Sequence, residues 1–217
     1  MSVDEGAAGN RPRGARLARA DRKAQLLEAA RDVFVAKGYH NAVVDDIAER
    51  AGVSKPVVYQ HFPGKLELYL ALLDKSTEAM VDAVRGALAS THDNKQRVAA
   101  TMQAYFRFVE TEGGAYRLLF ESDLVHEAEV RERVTRSQHE CAALVSEVIA
   151  EDTGLGDEES MLLAISLIGM AQVSARWALT TDVVRSGPAA ALVGQLAWRG
   201  ISGFPLGGDH EEQPAAT

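Results

Sequence analysis

The 217 residues hold one cysteine and six prolines, and aromatic side chains make up only 6% of the chain. A single thiol closes no internal disulfide, so the fold has to rest on a buried apolar core, which a chain of this length can build unaided. Cys141 lies in a stretch of helical character, where a packed, reduced thiol suits a reducing cytosol; a redox sensor is the other reading. Strand-like alternation of apolar and polar residues is missing throughout. The opening segment MSVDEGAAGNRPRGARLARADRK has arginines but no apolar leader, and the longest apolar run, MLLAISLIGM from Met161, is short for a membrane span. The expectation is a soluble, cytoplasmic protein.

Signatures of catalysis are missing too. There is no glycine-rich phosphate loop, no H-E-x-x-H and no G-x-S-x-G. Glu121 and Asp123 are two residues apart and share no helix face, and His139 and Cys141 have the same fault as metal ligands. No catalytic residue, metal site or cofactor is expected.

Charge is present but unevenly spread. Residues 11–65 carry 11 Lys/Arg against 6 Asp/Glu, a net of +5, while the remainder carries 12 against 25, a net of −13. The overall −8 therefore hides a basic module on an acidic body, and a basic module suits nucleic acid.

Helical spacing predicts an all-α protein. The first helix is expected from Arg22, capped by Asp21, with Leu26, Leu27, Ala30, Val33 and Phe34 as its apolar stripe and Gly38 as its stop. A short helix over 45–51 buries Val44, Ile47, Ala48 and Ala51; Gly52 turns the chain, and Ser54 caps a third helix that ends before Pro63-Gly64. Longer helices are expected at about 66–90, 94–112, 115–123, 127–152, 157–181 and 188–203, with breaks at THDN, EGG, His126, DTGLGD and TDVVRSGP. The expected division is a flexible basic arm over 1–19, a helix-turn-helix domain over 20–65, an effector-binding and dimerisation domain over 66–205 and a flexible tail over 206–217.

Two short helices joined at a glycine, the second opened by a serine, form a helix-turn-helix, whose second helix enters the major groove by its N-terminus. That puts Lys55, Pro56 and Val57 at base edges: the lysine faces guanine acceptors, and the other two offer only apolar contact, as to a thymine methyl. Tyr59, Gln60 and His61 follow one turn later for phosphates or outer bases, and Lys65 opens the next helix as a phosphate contact. Tyr59 and Phe62, three apart, equally suit plain core. The arginines Arg11, Arg13, Arg16, Arg19 and Arg22, with Lys23, form either a solvated tail or an arm for the minor groove and phosphates.

The stretch IAERAGVSKPVVYQHFPGKLEL, preceded by LLEAARDVFVAKGYHNAVVDDIA, resembles the N-terminal signature of the TetR family of bacterial regulators over residues 21–70. The resemblance implies DNA contact by Ser54, Lys55, Pro56, Tyr59, His61 and Lys65, in a homodimer on a near-palindromic operator. It also exposes a departure: Val43 stands where the family usually has a Thr or Ser that caps the second helix and touches phosphate.

In the body, Leu73, Met80, Val84 and Leu88 recur at helical spacing, as do Met102, Tyr105, Phe106 and Val109; with Tyr116, Phe120 and Leu124 they suit either an apolar channel or ordinary core. The last two helices are apolar almost all round and suit packing against the same pair of a second chain. GAYRLLFESDLVHEAEVRERV from Gly114 and the late LAWRGISGFPL are similar to the family's actinobacterial regulators of fatty-acid synthesis. That similarity implies a long-chain acyl-CoA effector in an apolar tunnel, with Met80, Leu88, Tyr105 and Phe106 nearest its tail. A different hydrophobic molecule controlling an efflux gene is the alternative.

Overall fold

The structure is a computed structural model and describes residues 13–120, 123–181 and 185–201. It contains helices α1 (Arg13–Asn41), α2 (Val44–Arg50), α3 (Lys55–His61), α4 (Lys65–Ala89), α5 (Asn94–Phe120), a 3-10 turn (Asp123–His126), α6 (Ala128–Thr153), α7 (Asp157–Thr181) and α8 (Ser186–Ile201). Among the described residues there is no strand, so the all-α expectation stands. The chain divides into two compact units, 1–72 and 73–217, with the division inside α4 and not at Lys65. The expected tail lies outside the described residues.

In the first unit α1 begins well before the expected cap. The helix runs through Asp21, so Asp21 caps nothing, and residues 13–19 of the expected flexible arm are helical. The run LARADRKAQLLEAA explains this: apart from Asp21 it is built of Ala, Leu, Arg, Lys, Gln and Glu, with no Gly or Pro, and such residues propagate a helix already begun. Leu26, Leu27, Ala30, Val33 and Phe34 form the buried stripe. Helical geometry stops at Gly38 (φ 72°, ψ 165°), a combination open essentially to glycine alone. Beyond it Tyr39 folds back onto Phe34 and Tyr69, with ring centroids 5.8 and 5.2 Å away, the second pair edge to face. Ile47 and Ala48 from α2, Val58 from α3, and Ala51 and Phe62 just past the ends of those helices complete this core.

In the second unit α5 packs on α7 and α8, and α6 on α7. The core includes Met80, Val84, Phe106, Val109, Cys141, Ala164 and Ala197. The EGG sequence interrupts the helix as expected, but by a kink and not by a loop. Only Gly113 leaves helical geometry (φ 4°, ψ −83°), so the chain kinks within α5 and resumes without a loop. Gly154 ends α6 in the left-handed conformation (φ 71°), its N–H donating to the Ala150 carbonyl.

Helix α7 corrects a further expectation: by length and composition it is apolar enough to cross a membrane. Its buried stripe is made of small residues, Ser160, Ala164, Ala171, Ala175 and Ala178, which permit close approach of neighbouring helices. Its large residues Leu162, Ile165, Val173 and Trp177 are exposed, as are Leu192 and Leu196 of α8. These two helices thus expose several large apolar side chains to water.

Candidate nucleic-acid interface and ligand cavity

Helix α2 passes into α3 through a turn closed by three backbone bonds: Ala51 N–H to Ile47 O (2.9 Å), Gly52 N–H to Glu49 O (3.0 Å) and Val53 N–H to Ala48 O (3.0 Å). Gly52 has φ 65°, as the sharp turn requires. The Gln25 amide donates to Ala51 O (2.8 Å) and so ties α1 to the same corner. Ser54 occupies the cap position of α3, but its hydroxyl makes no capping bond; only its carbonyl takes part, accepting from Val57 N–H at 2.9 Å.

Val58, fully buried, and Phe62 anchor α3 from below. This leaves Ser54, Lys55, Pro56, Tyr59 and Gln60 exposed, with Val57 and His61 half-buried. Tyr59, 45% exposed, is therefore not core, whereas Phe62 is. Lys55 Nζ pairs with Asp45 at 2.8 Å, and this bond holds its ammonium above the ordinary lysine range. Burial lowers the His61 pKa from its usual value, helped by the charges of Arg19, Arg22 and Lys23, so α1 brings a cationic cluster to the end of α3. Arg19 and Arg22 are exposed, while the side chain of Arg16 lies outside the described residues.

Lys65 is placed differently from its expected role. Its Nζ donates to the carbonyls of Tyr39 (2.8 Å), Ala42 (2.9 Å) and His40 (3.4 Å) and lies 4.3 Å from the Tyr39 ring centroid. An ammonium has three donors, and all are engaged in closing the chain between α1 and α2. Val43 is indeed at the cap of α2, with no side-chain oxygen to offer. The Asp46 carboxylate instead accepts from Val43 N–H (3.2 Å) and pairs with Lys37 (2.8 Å). The Lys37 bond, then the Val43 N–H, lowers the Asp46 pKa.

In the second unit a cavity of about 220 Å³ opens among α4, α5, α6, α7 and α8. Of the residues expected to line a channel, Val84, Leu88, Met102 and Tyr105 do so. Leu73, Met80, Phe106, Val109, Tyr116 and Leu124 are buried but off its wall, because they occupy the sides of the helices that pack on neighbouring elements. The side chain of Phe120 lies outside the described residues. The rest of the wall is Val98 and Thr101 of α5, Val145, Val148 and Ile149 of α6, Leu167, Ile168 and Ala171 of α7, and Trp198 of α8.

One end of the cavity is polar, formed by Asn94 and Arg97 at the start of α5 and Asp152 and Thr153 at the end of α6. Arg97 donates to Thr91 O (2.8 Å) and Asn94 Oδ1 (3.1 Å) and pairs with Asp152 at 3.3 Å. Deeper in, the Tyr105 hydroxyl meets that of Tyr116 at 3.5 Å, and burial raises its pKa. Among the described residues no group of three His, Cys, Asp or Glu side chains is placed to hold a metal ion.

Two comparisons decide the family. A model described as bacterial regulatory proteins, tetR family, matches residues 26–72. The HTH-type transcriptional activator FasR of Mycolicibacterium smegmatis is 45% identical over 201 residues, spanning 92% of this chain and 91% of that protein. The chain belongs to the TetR family. As a TetR-family regulator it shares its fold with a transcriptional regulator from Pseudomonas aeruginosa PAO1 (TM-score 0.75, 23% identity, 88% of this chain and 95% of that one). It is also similar in fold to FadR from Bacillus subtilis, solved in complex with stearoyl-CoA (TM-score 0.63, 17% identity, 80% and 96% covered).

Sequence reasoning about this regulator missed the polar end of the cavity and every wall residue contributed by α6, α7 and α8. A signal existed in Arg97 and Asp152, charges at the start of α5 and the end of α6, but 55 positions apart nothing in the sequence joins them. The wall residues of α6 carry the same periodicity as core.

Proposed function

We propose that this TetR-family protein is a cytoplasmic, dimeric regulator that binds a near-palindromic operator through α3 and answers to a long-chain acyl-CoA held in the α4–α8 cavity, controlling fatty-acid synthesis genes. One observation carries the effector reading: the cavity is apolar for most of its length and polar at one end, which matches an alkyl chain attached to a polar carrier. The stearoyl-CoA complex of a protein with the same fold supports it. A cationic drug would call for an unpaired buried carboxylate among aromatics; Asp152, the acid on the wall, is already paired with Arg97. The name of the FasR relative favours activation over repression.

At the operator, Lys55 leaves Asp45 for a base edge, Pro56 and Val57 offer apolar contact, and Ser54, Tyr59, Gln60 and His61 serve phosphates and outer bases, with Arg16, Arg19 and Arg22 alongside. The exposed apolar residues of α7 and α8, Leu162, Ile165, Val173, Trp177, Leu192 and Leu196, supply the two-fold contact between protomers. The ligand acts by favouring one spacing of the two reading helices, so operator and ligand shift each other's affinity by one common factor. The test is a titration of the protein onto the promoter of a fatty-acid synthesis operon with and without stearoyl-CoA. A shifted affinity is expected, mirrored in stearoyl-CoA binding with and without operator; an unchanged affinity defeats the reading.

A further inference from the structure

We infer that the hydroxyl of Thr101 receives the carbonyl oxygen of a thioester-linked acyl chain, with the neighbouring amide of the carrier seated among Asn94, Arg97 and Asp152. This deepens the acyl-CoA reading and rests on it. Thr101 Oγ1 is buried without a hydrogen-bond partner, alone in this among the side-chain atoms of the described residues, and the residue lines the cavity. Other helical threonines of this protein satisfy themselves on their own helix: Thr77 donates to Asp74 O (2.9 Å), Thr153 to Ile149 O (2.6 Å) and Thr180 to Arg176 O (3.1 Å). Thr101 does not: its hydroxyl is left without a partner on a wall whose other side chains are mostly apolar. A donor held ready in an apolar cavity is costly until a ligand brings the acceptor, and that is how a site selects a carbonyl over a methylene.

The spacing fits a thioester. Thr101 lies four residues after Arg97 on the same face of α5, a rise of about 6 Å. In a pantetheine thioester four bonds separate the carbonyl carbon from the first amide nitrogen, which in an extended chain also span roughly one helical turn. With the carbonyl at Thr101, that amide falls at the polar end, where Asn94 and Asp152 offer acceptors for its N–H. The alkyl chain continues toward Met102, Tyr105 and Val84. A free fatty acid would have to place its charged carboxylate at Thr101, in the apolar part of the cavity.

The experiment compares stearoyl-CoA with S-octadecyl-CoA, the thioether in which a methylene replaces the carbonyl, on the full chain and its Thr101→Val and Thr101→Ser variants, read by calorimetry. The wild type is expected to bind the thioester about fivefold to tenfold more tightly than the thioether. Thr101→Val should erase that preference by weakening the thioester alone, and Thr101→Ser should keep it. Equal wild-type affinities, or a Thr101→Val loss shared by both ligands, overturn the role of Thr101 and leave the acyl-CoA reading standing. Binding of neither ligand to the wild type overturns both. Thr101→Val removes an unpaired buried hydroxyl and nearly preserves shape, so its melting temperature should be no lower than that of the wild type.

Discussion

On α3 the residues proposed to meet DNA are mostly exposed and stand on two buried anchors, Val58 and Phe62, whereas the proposed effector site in the second unit is a void bounded by five helices. The first arrangement is local: eight consecutive residues, Ser54 to His61, carry it, and a cap, a turn and these anchors suffice to aim them. The second has no local form, since its wall draws on residues from Val84 to Trp198 that meet only when the helices pack. A reading head tolerates changes in its support so long as the turn holds. A cavity changes whenever any of its helices gains or loses a side chain.

The largest expected effect follows from filling the void. Ala171→Phe should weaken stearoyl-CoA binding about 100-fold, near 3 kcal/mol, and make operator affinity indifferent to the ligand, while DNA binding without ligand stays within about twofold. Loss of operator binding in that variant would show the two regions to be less separable than their layouts suggest. Next comes Lys65→Met, which strips three carbonyls of one shared donor and should destabilise the first unit by about 2 kcal/mol in urea unfolding. The salt dependence of operator binding should stay the same; a slope reduced by about one, with stability intact, would return Lys65 to the phosphates.

These contrasts explain what could be read from the chain. Gly38 and Gly52 announced turns because positive φ is a property of single residues, whereas along α3 the spacing left Tyr59 and Phe62 alike and only packing separates the exposed ring from the buried one. The bonds that hold Lys65 were not legible because its carbonyl partners lie 23 to 26 positions upstream, at distances no spacing rule reaches. Asp21 failed as a cap for another reason: a capping residue stops nothing once the helix has formed before it. In the body, Met80 and Phe106 have the same periodicity as Val84 and Met102, and only the packing of neighbours separates core from wall.

Smaller effects sharpen the first region. Val43→Thr supplies the missing side-chain acceptor at the start of α2 and should stabilise the first unit by about 0.5–1 kcal/mol in thermal melts. A pH dependence comes last. His61 has a folded-state pKa below the unfolded value of 6.5, so the unfolded chain takes up the proton first, and this residue lowers stability as pH falls from 6.5 toward the folded value. A nearby phosphate favours the protonated ring, so operator binding should take up a proton and strengthen over the same range. His61→Gln should flatten the part of the affinity–pH profile due to this group.

The lone thiol has a further use. Cys141 is 1% exposed in the core of the second unit, and burial, with the charge of Glu140 adding to it, pushes its pKa up to about 11. A thiol so enclosed reacts with a disulfide reagent chiefly when the surrounding helices part, and with no other cysteine in the chain the colour change has one source. The labelling rate is therefore a clock for breathing of the body. A molecule that settles in the cavity should slow that clock in proportion to its occupancy, which makes it possible to screen for effectors before any operator is known.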